Sequence, residues 1–170
     1  MQVKFSNEGV EPISIEEAKQ YLRVDFEDED LLISLLVSGV RRRIEEFTGR
    51  SLVTRTVELF LPEIPEEIAL PYPDHDAITE VKINGTTSTA YVQTGLSQFI
   101  LRPTTVATTQ QNESGFYVKY TTLGNCPDLI KLEILKAIDE KYKNRGNTSE
   151  MNATELSENT YANLAQFCLM

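Results

Sequence analysis

Apolar residues recur along the chain first at helical steps, then at alternating steps, and finally at helical steps again. Ile15, Ala18 and Leu22 share one face, which predicts a short amphipathic helix over residues 14–22. Ser14-Ile15-Glu16-Glu17 opens it as a capping box: the serine hydroxyl accepts from the Glu17 amide while the Glu17 side chain reaches back. A longer helix follows from Asp28 to Phe47. Leu31, Leu32, Leu35, Leu36, Val40, Ile44 and Phe47 form one wide stripe on it, and Gly49 fits the left-handed position that ends a helix. Leu35 is therefore expected in the core. Ile33 and Val37 lie off that stripe and mark a second covered face, as an adjacent subunit would require.

From Ser51 the period becomes two. Val57, Leu59 and Leu61 predict a strand stopped by Pro62. LPEIPEEIALPYPDHD, rich in proline and acid, reads as a surface connection with a short extended piece. Val81 and Ile83 lead into Asn84-Gly85, a type I′ hairpin signal. Tyr91-Val92, Phe99 to Leu101 and Phe116 to Tyr120 are further short strands, with a polar loop over residues 104–115. Pro127-Asp128 opens a last long helix, lined by Ile130, Ile134, Leu135, Ile138 and Tyr142 and ended at Gly146. The expected class is α+β, mainly an α-helical bundle (residues 1–50 and 127–146) with an inserted small antiparallel β subdomain (51–126). Together these make one domain over 1–146, and 147–170 is left as an extended C-terminal tail.

Charge refines this picture. In the long helix Asp28, Glu29 and Asp30 stand at the start, and Arg41, Arg42 and Arg43 stand toward the end, each sign where the macrodipole favours it. Three consecutive arginines fan over about 200°, so they cannot form one flat phosphate clamp. Pairing with Glu45 and Glu46, or across a subunit contact, suits them better. The net charge of -10 and pI near 4.6 exclude nonspecific binding to nucleic acid or to an anionic membrane. A hydrophobic content of 41% is enough for a buried core.

The search for chemistry is short. Asp25 to Asp30 fails the EF-hand template, with Asp30 where its glycine belongs and Leu36 where its bidentate glutamate belongs. His75, between Asp74 and Asp76, reads as a solvated loop histidine with no nucleophile motif to serve. Cys126 and Cys168 read as reduced thiols without ligand spacing. No dinucleotide, phosphate-loop or zinc-protease motif is present. No catalytic site, cofactor or metal is expected. MQVKFSNEGVEPIS lacks the apolar segment of a signal peptide, and no apolar run is long enough for a membrane span, so a soluble protein made in the cytoplasm is expected. In the tail, residues 147–154 form a polar tether. Tyr161, Leu164, Phe167 and Leu169 are its apolar anchors, expected to await a partner's groove, so losing residues 155–170 is expected to leave the fold nearly as stable.

The order of the pieces carries more than any motif. ISIEEAKQYLRVD, DEDLLISLLV, RRRIEEFTGRSL and the strand VTRTVELFL, followed by LPYPDHDAITEVKING and VKYTTLGNCPDLIKLEILKAIDEKYKNRG, resemble the phage head–tail connector (head-completion adaptor) family. ELSENTYANLAQF resembles its C-terminal segment but lacks the basic residues usual there. The resemblance implies a non-catalytic ring in the virion neck, twelve-fold to match a portal, made in the bacterial host cytoplasm. It implies that the ring extends the DNA channel without specific DNA binding and docks a downstream head-closure or tail protein. It places the C-terminal anchors against the portal protein, and in such a ring the second face of the long helix makes Ile33, Val37 and Arg41 to Arg43 the expected subunit interface. Two other classes compete: an acidic DNA mimic that inhibits a nucleic-acid enzyme, and a hydrolase using His75 or the acid cluster. The first needs carboxylates spaced along one surface, whereas these cluster at helix starts and loops.

Overall fold

Local signals set most element boundaries. The computed structural model describes residues 1–72, 74–94, 100–104, 115–144 and 156–168, with Ala77 and Ile100 described by backbone alone. The strands are β1 (Gln2–Ser6), β2 (Thr56–Leu61), β3 (Ile68–Ala69), β4 (His75–Ile83), β5 (Thr86–Thr87), β6 (Tyr91–Thr94), β7 (Ile100–Pro103) and β8 (Phe116–Thr122). The helices are α1 (Ile15–Leu22), α2 (Asp30–Thr48), α3 (Asp128–Lys143) and α4 (Glu158–Leu164), the last followed by a 3₁₀ turn, Ala165–Phe167. The class is α+β, and both sheets are antiparallel. Contacts divide the chain into a sheet unit, Met1–Val10 with Val53–Asn125, and a helical unit, Glu11–Leu52 with Cys126–Met170. The first ten residues, expected with the helices, thus belong to the sheet unit. No described helix is long and apolar enough to cross a membrane.

In the sheet unit five strands run in the order β1-β2-β8-β4-β5, and three more in the order β3-β7-β6. β8 alternates strictly: Phe116, Val118, Tyr120 and Thr122 are buried, and the residues between them are half-buried. Val118 sits opposite Leu59 on one side and Val81 on the other, so one face of the sheet is continuous core. The other face carries Lys4, Glu58, Lys119 and Glu80 in one cross-strand row of alternating sign, next to the pair Phe60 and Tyr117. Within it Lys119 Nζ lies 3.4 Å from Glu58. Asn84 and Gly85 turn the β4–β5 hairpin at φ 50° and 75°, the two positive values that a type I′ turn requires. Two expectations are corrected here. QVKFS is a strand, held at the sheet edge by pairing with β2 and by Phe5, which with Tyr72 flanks the Arg55 guanidinium at 5.2 and 5.7 Å. His75 is not a solvated loop residue; it begins β4 and is 8% exposed.

In the helical unit the capping box forms as expected, with Ser14 Oγ accepting from the Glu17 amide at 3.1 Å and Glu17 Oε2 accepting from the Ser14 amide at 2.8 Å. Gly49 ends α2 at φ 71° with its amide on the Glu45 carbonyl. Lys19 on α1 reaches Asp30 at the start of α2, 2.7 Å away, and the Tyr142 hydroxyl near the end of α3 donates to Glu29. The core joins Ile33, Val37, Val40 and Ile44 of α2 to Ile130, Ile134 and Ile138 of α3.

That core overturns the expected orientation of α2. Ile33 is 0% and Val37 2% exposed, while Leu35 is 62% and Leu31 75% exposed. At about 100° per residue, Ile33, Val37, Val40 and Ile44 fall within roughly 60° of arc, and Leu31 and Leu35 lie nearly opposite. The first half of α2 is apolar on both sides, so its period alone does not choose between them. The rest of the buried face does, because it carries Arg41, Glu45 and Thr48, whose polar groups need partners inside the unit.

Candidate assembly surfaces

Arg41 is the largest fully buried side chain of the helical unit, 1% exposed. Its Nε and Nη2 donate to the two oxygens of Glu11 at 2.8 and 3.0 Å, and its Nη1 donates to Glu45 at 2.7 Å. The other oxygen of Glu45 accepts from the Leu52 amide at 2.7 Å. A guanidinium forked this way ties the chain before α1 and the chain after α2 to the same helix face. Arg41 therefore holds the unit together from inside, as do Ile33 and Val37, and none of the three lies on a surface a neighbour can reach. Arg42 and Arg43 do reach the surface. Arg43 pairs with Glu46 at 3.2 Å and also bonds Tyr161, and these two contacts hold its pKa above the ordinary value.

The C-terminal anchors are likewise occupied. Ser157 caps α4, and Leu164 (0% exposed) and Leu156 (5%) complete the helical core. The Tyr161 ring rests on Phe47 with centroids 4.7 Å apart, and Phe167 packs half-buried against the same core. Asn163 Nδ2 donates to Glu133 at 3.1 Å, and Arg50 Nε donates to the Phe167 carbonyl at 2.9 Å. Leu169 lies outside the described residues. The reason for the correction is plain: α4 covers apolar surface on its own unit. Deleting residues 155–170 should destabilise the chain, since burying two leucines is worth about 3–6 kcal/mol. At about 2–4 °C per kcal/mol the melting temperature should fall by roughly 10 °C, which a calorimetric scan of the truncated chain would check.

The other candidates are scattered. Of the acid cluster, Asp30 is on Lys19 and Glu29 on Tyr142, while Asp25, Glu27 and Asp28 are exposed. Among the described residues no three His, Cys, Asp or Glu side chains are grouped to hold a metal ion. His75 Nε2 lies 3.1 Å from Gln93 Nε2, with the ring edge-on to Tyr120 at 5.8 Å. Both cysteines are free thiols, and burial pushes Cys126 up to about 11.

Two surfaces of the helical unit remain that the periodicity did not reveal. One is a groove of about 420 Å³ along α2, lined by the apolar Leu35, Leu36, Gly39 and Val40 and by the charged Arg42, Arg43, Glu46 and Lys141. The other is the outer side of α3, where Leu129 is 57% and Leu132 41% exposed. One sequence signal did mark the first: Gly39, a glycine in mid-helix four residues after Leu35 on the same side.

No curated protein sequence matches this chain. Among solved structures it is similar to a chain in the neck of an empty gene transfer agent (GTA) particle computed with C6 symmetry, at TM-score 0.72 and 13% identity. It is similar at TM-score 0.68 to chains of the native GTA virion (15% identity) and of the native GTA neck computed with C12 symmetry (13%). Each likeness covers 100% of this chain and 96% of the other. A profile of the phage gp6-like head-tail connector proteins matches residues 12–98, from the approach to α1 through the β4–β5 hairpin and β6. With just over half of its length so matched, the chain belongs to the phage gp6-like head-tail connector family.

Proposed function

We propose that this connector assembles as a ring in the virion neck, seated under the portal, where it extends the DNA channel and offers a platform to the next neck or tail protein. The observation that carries this reading is the full-length likeness to chains of neck assemblies with C6 and C12 symmetry, on top of family membership. The role is mechanical: the chain needs no cofactor and performs no catalysis. A net charge of -10 per copy suits a channel wall that lets DNA slide, because like charge repels phosphates within about a Debye length, ~8 Å. A DNA-mimic role has less support. The open face of the large sheet alternates Lys4, Glu58, Lys119 and Glu80 rather than presenting one sign. Negative-stain imaging of the full chain mixed with the portal of the same phage should show added density as a ring at the portal's tail-side end. Free portals with no added density at saturating connector would sink the proposal.

A further inference from the structure

The groove on α2 and the outer face of α3 face away from each other. Lys141 on the groove rim and Leu132 are nine residues apart on α3, roughly half a turn around it. A chain's own Leu132 therefore cannot reach its own groove, but a second copy's can. Two unlike patches on opposite sides of one unit are what a head-to-tail contact uses, and a head-to-tail contact whose rotation closes gives a ring.

Gly39 adds an independent observation. It sits in the middle of α2, where glycine weakens a helix relative to alanine, and a Cβ added there would meet nothing within 4 Å. Nothing in the folded chain asks for a glycine. The missing side chain leaves open space in the groove beside Leu35, Leu36 and Arg43, where a knob from another helix can enter.

Charge then selects the occupant and its direction. If Leu132 of a second copy enters at Gly39 with the helices antiparallel, Asp128 of that copy, one turn before Leu132, comes to Arg42. Lys143, three turns after Leu132, comes to the exposed acids Asp25, Glu27 and Asp28. Run parallel, the same helices bring Lys136 to Arg43 and Lys143 to Arg50, just past the end of α2. We propose that the α2 groove is the subunit interface and that its occupant is the outer face of α3 from a second copy of this chain, antiparallel, with Leu132 as the knob and Gly39 as the hole.

This inference rests on the ring reading above, and the test separates the two. In a full-length chain with Cys126→Ala and Cys168→Ser, whose melting curve matches the parent's, Gly39→Cys and Leu132→Cys are introduced together and the protein is oxidised. The interface gives a ladder of covalent multimers on a non-reducing gel. A mixture of the two single-cysteine variants stops at dimers, and each alone stays monomeric. Dimers from Gly39→Cys alone mean like-to-like pairing and overturn the proposal. An absent ladder while the parent chain assembles, by mass in solution, places the contact elsewhere and leaves the ring standing. An absent ladder with a parent that stays monomeric at every concentration and on the portal removes both. Gly39→Leu supplies the converse: it should fold with an equal or higher melting temperature and fail to assemble.

Discussion

Ile33→Asp should unfold the helical unit, and Leu35→Asp, two residues further on, should leave it folded. Ile33 is fully enclosed between α2 and α3, so an aspartate there loses its hydration with no cation to receive it. An unpaired buried charge costs several kcal/mol, a large part of what holds a domain of this size together. Leu35 is 62% exposed, and exchanging it for a charged residue in the free chain falls within about ±0.5 kcal/mol. Far-ultraviolet circular dichroism with thermal melts would distinguish them. Equal loss of signal in both variants would mean that α2 is covered on both sides within one chain. The stripe of leucines alone predicts the opposite ranking, which makes the pair a sharp test of how α2 is turned.

Arg41→Ala is expected to cost about 3–5 kcal/mol, the usual result of removing one partner from a buried ion pair. It leaves the Glu45 carboxylate, 2% exposed, without its cation, and it releases Glu11 from the other side. Arg42→Ala, one residue on and at the surface, is the control and should change stability by no more than about 0.5 kcal/mol. Urea unfolding at neutral pH gives both values. The same loss in both variants would show that the three arginines act through general charge rather than through the Glu11–Arg41–Glu45 fork. A double-mutant cycle with Glu11→Gln should give a coupling energy well above that of a surface pair.

What was legible in the sequence follows the range of the interactions involved. The capping box at Ser14, the stop at Gly49 and the Asn84-Gly85 turn each depend on residues within a few positions, and each stands where the sequence places it. The turn of α2 about its axis depends on Glu11, thirty positions before Arg41, and no local pattern contains that pairing. β1 is a short, largely polar edge strand whose shape comes from β2, fifty residues away. The neighbours of His75 in sequence are proline and acid and signal a loop, whereas its burial comes from Tyr120 and Gln93 on other strands. For the tail, the sequence shows the apolar residues but not their destination. Leu164 has the same spacing whether it fills its own core or another protein's groove.

The division of the helical unit into two stretches of chain has a consequence for how each copy is born. Residues 53–125 stand between α2 and α3 in the order of synthesis. At ~5–20 residues per second the ribosome takes on the order of 4–15 s to pass them. Once clear of the ribosome, Ile33, Val37, Val40 and Ile44 wait about as long again for the helix that covers them. The later arrival of α4 lengthens the wait for the last of the cover. The sheet unit, by contrast, has all its strands once β8 is out. A nascent chain of this protein thus has its sheet strands before the helices that close its helical core, a profile that exposes apolar surface to holdase chaperones during synthesis.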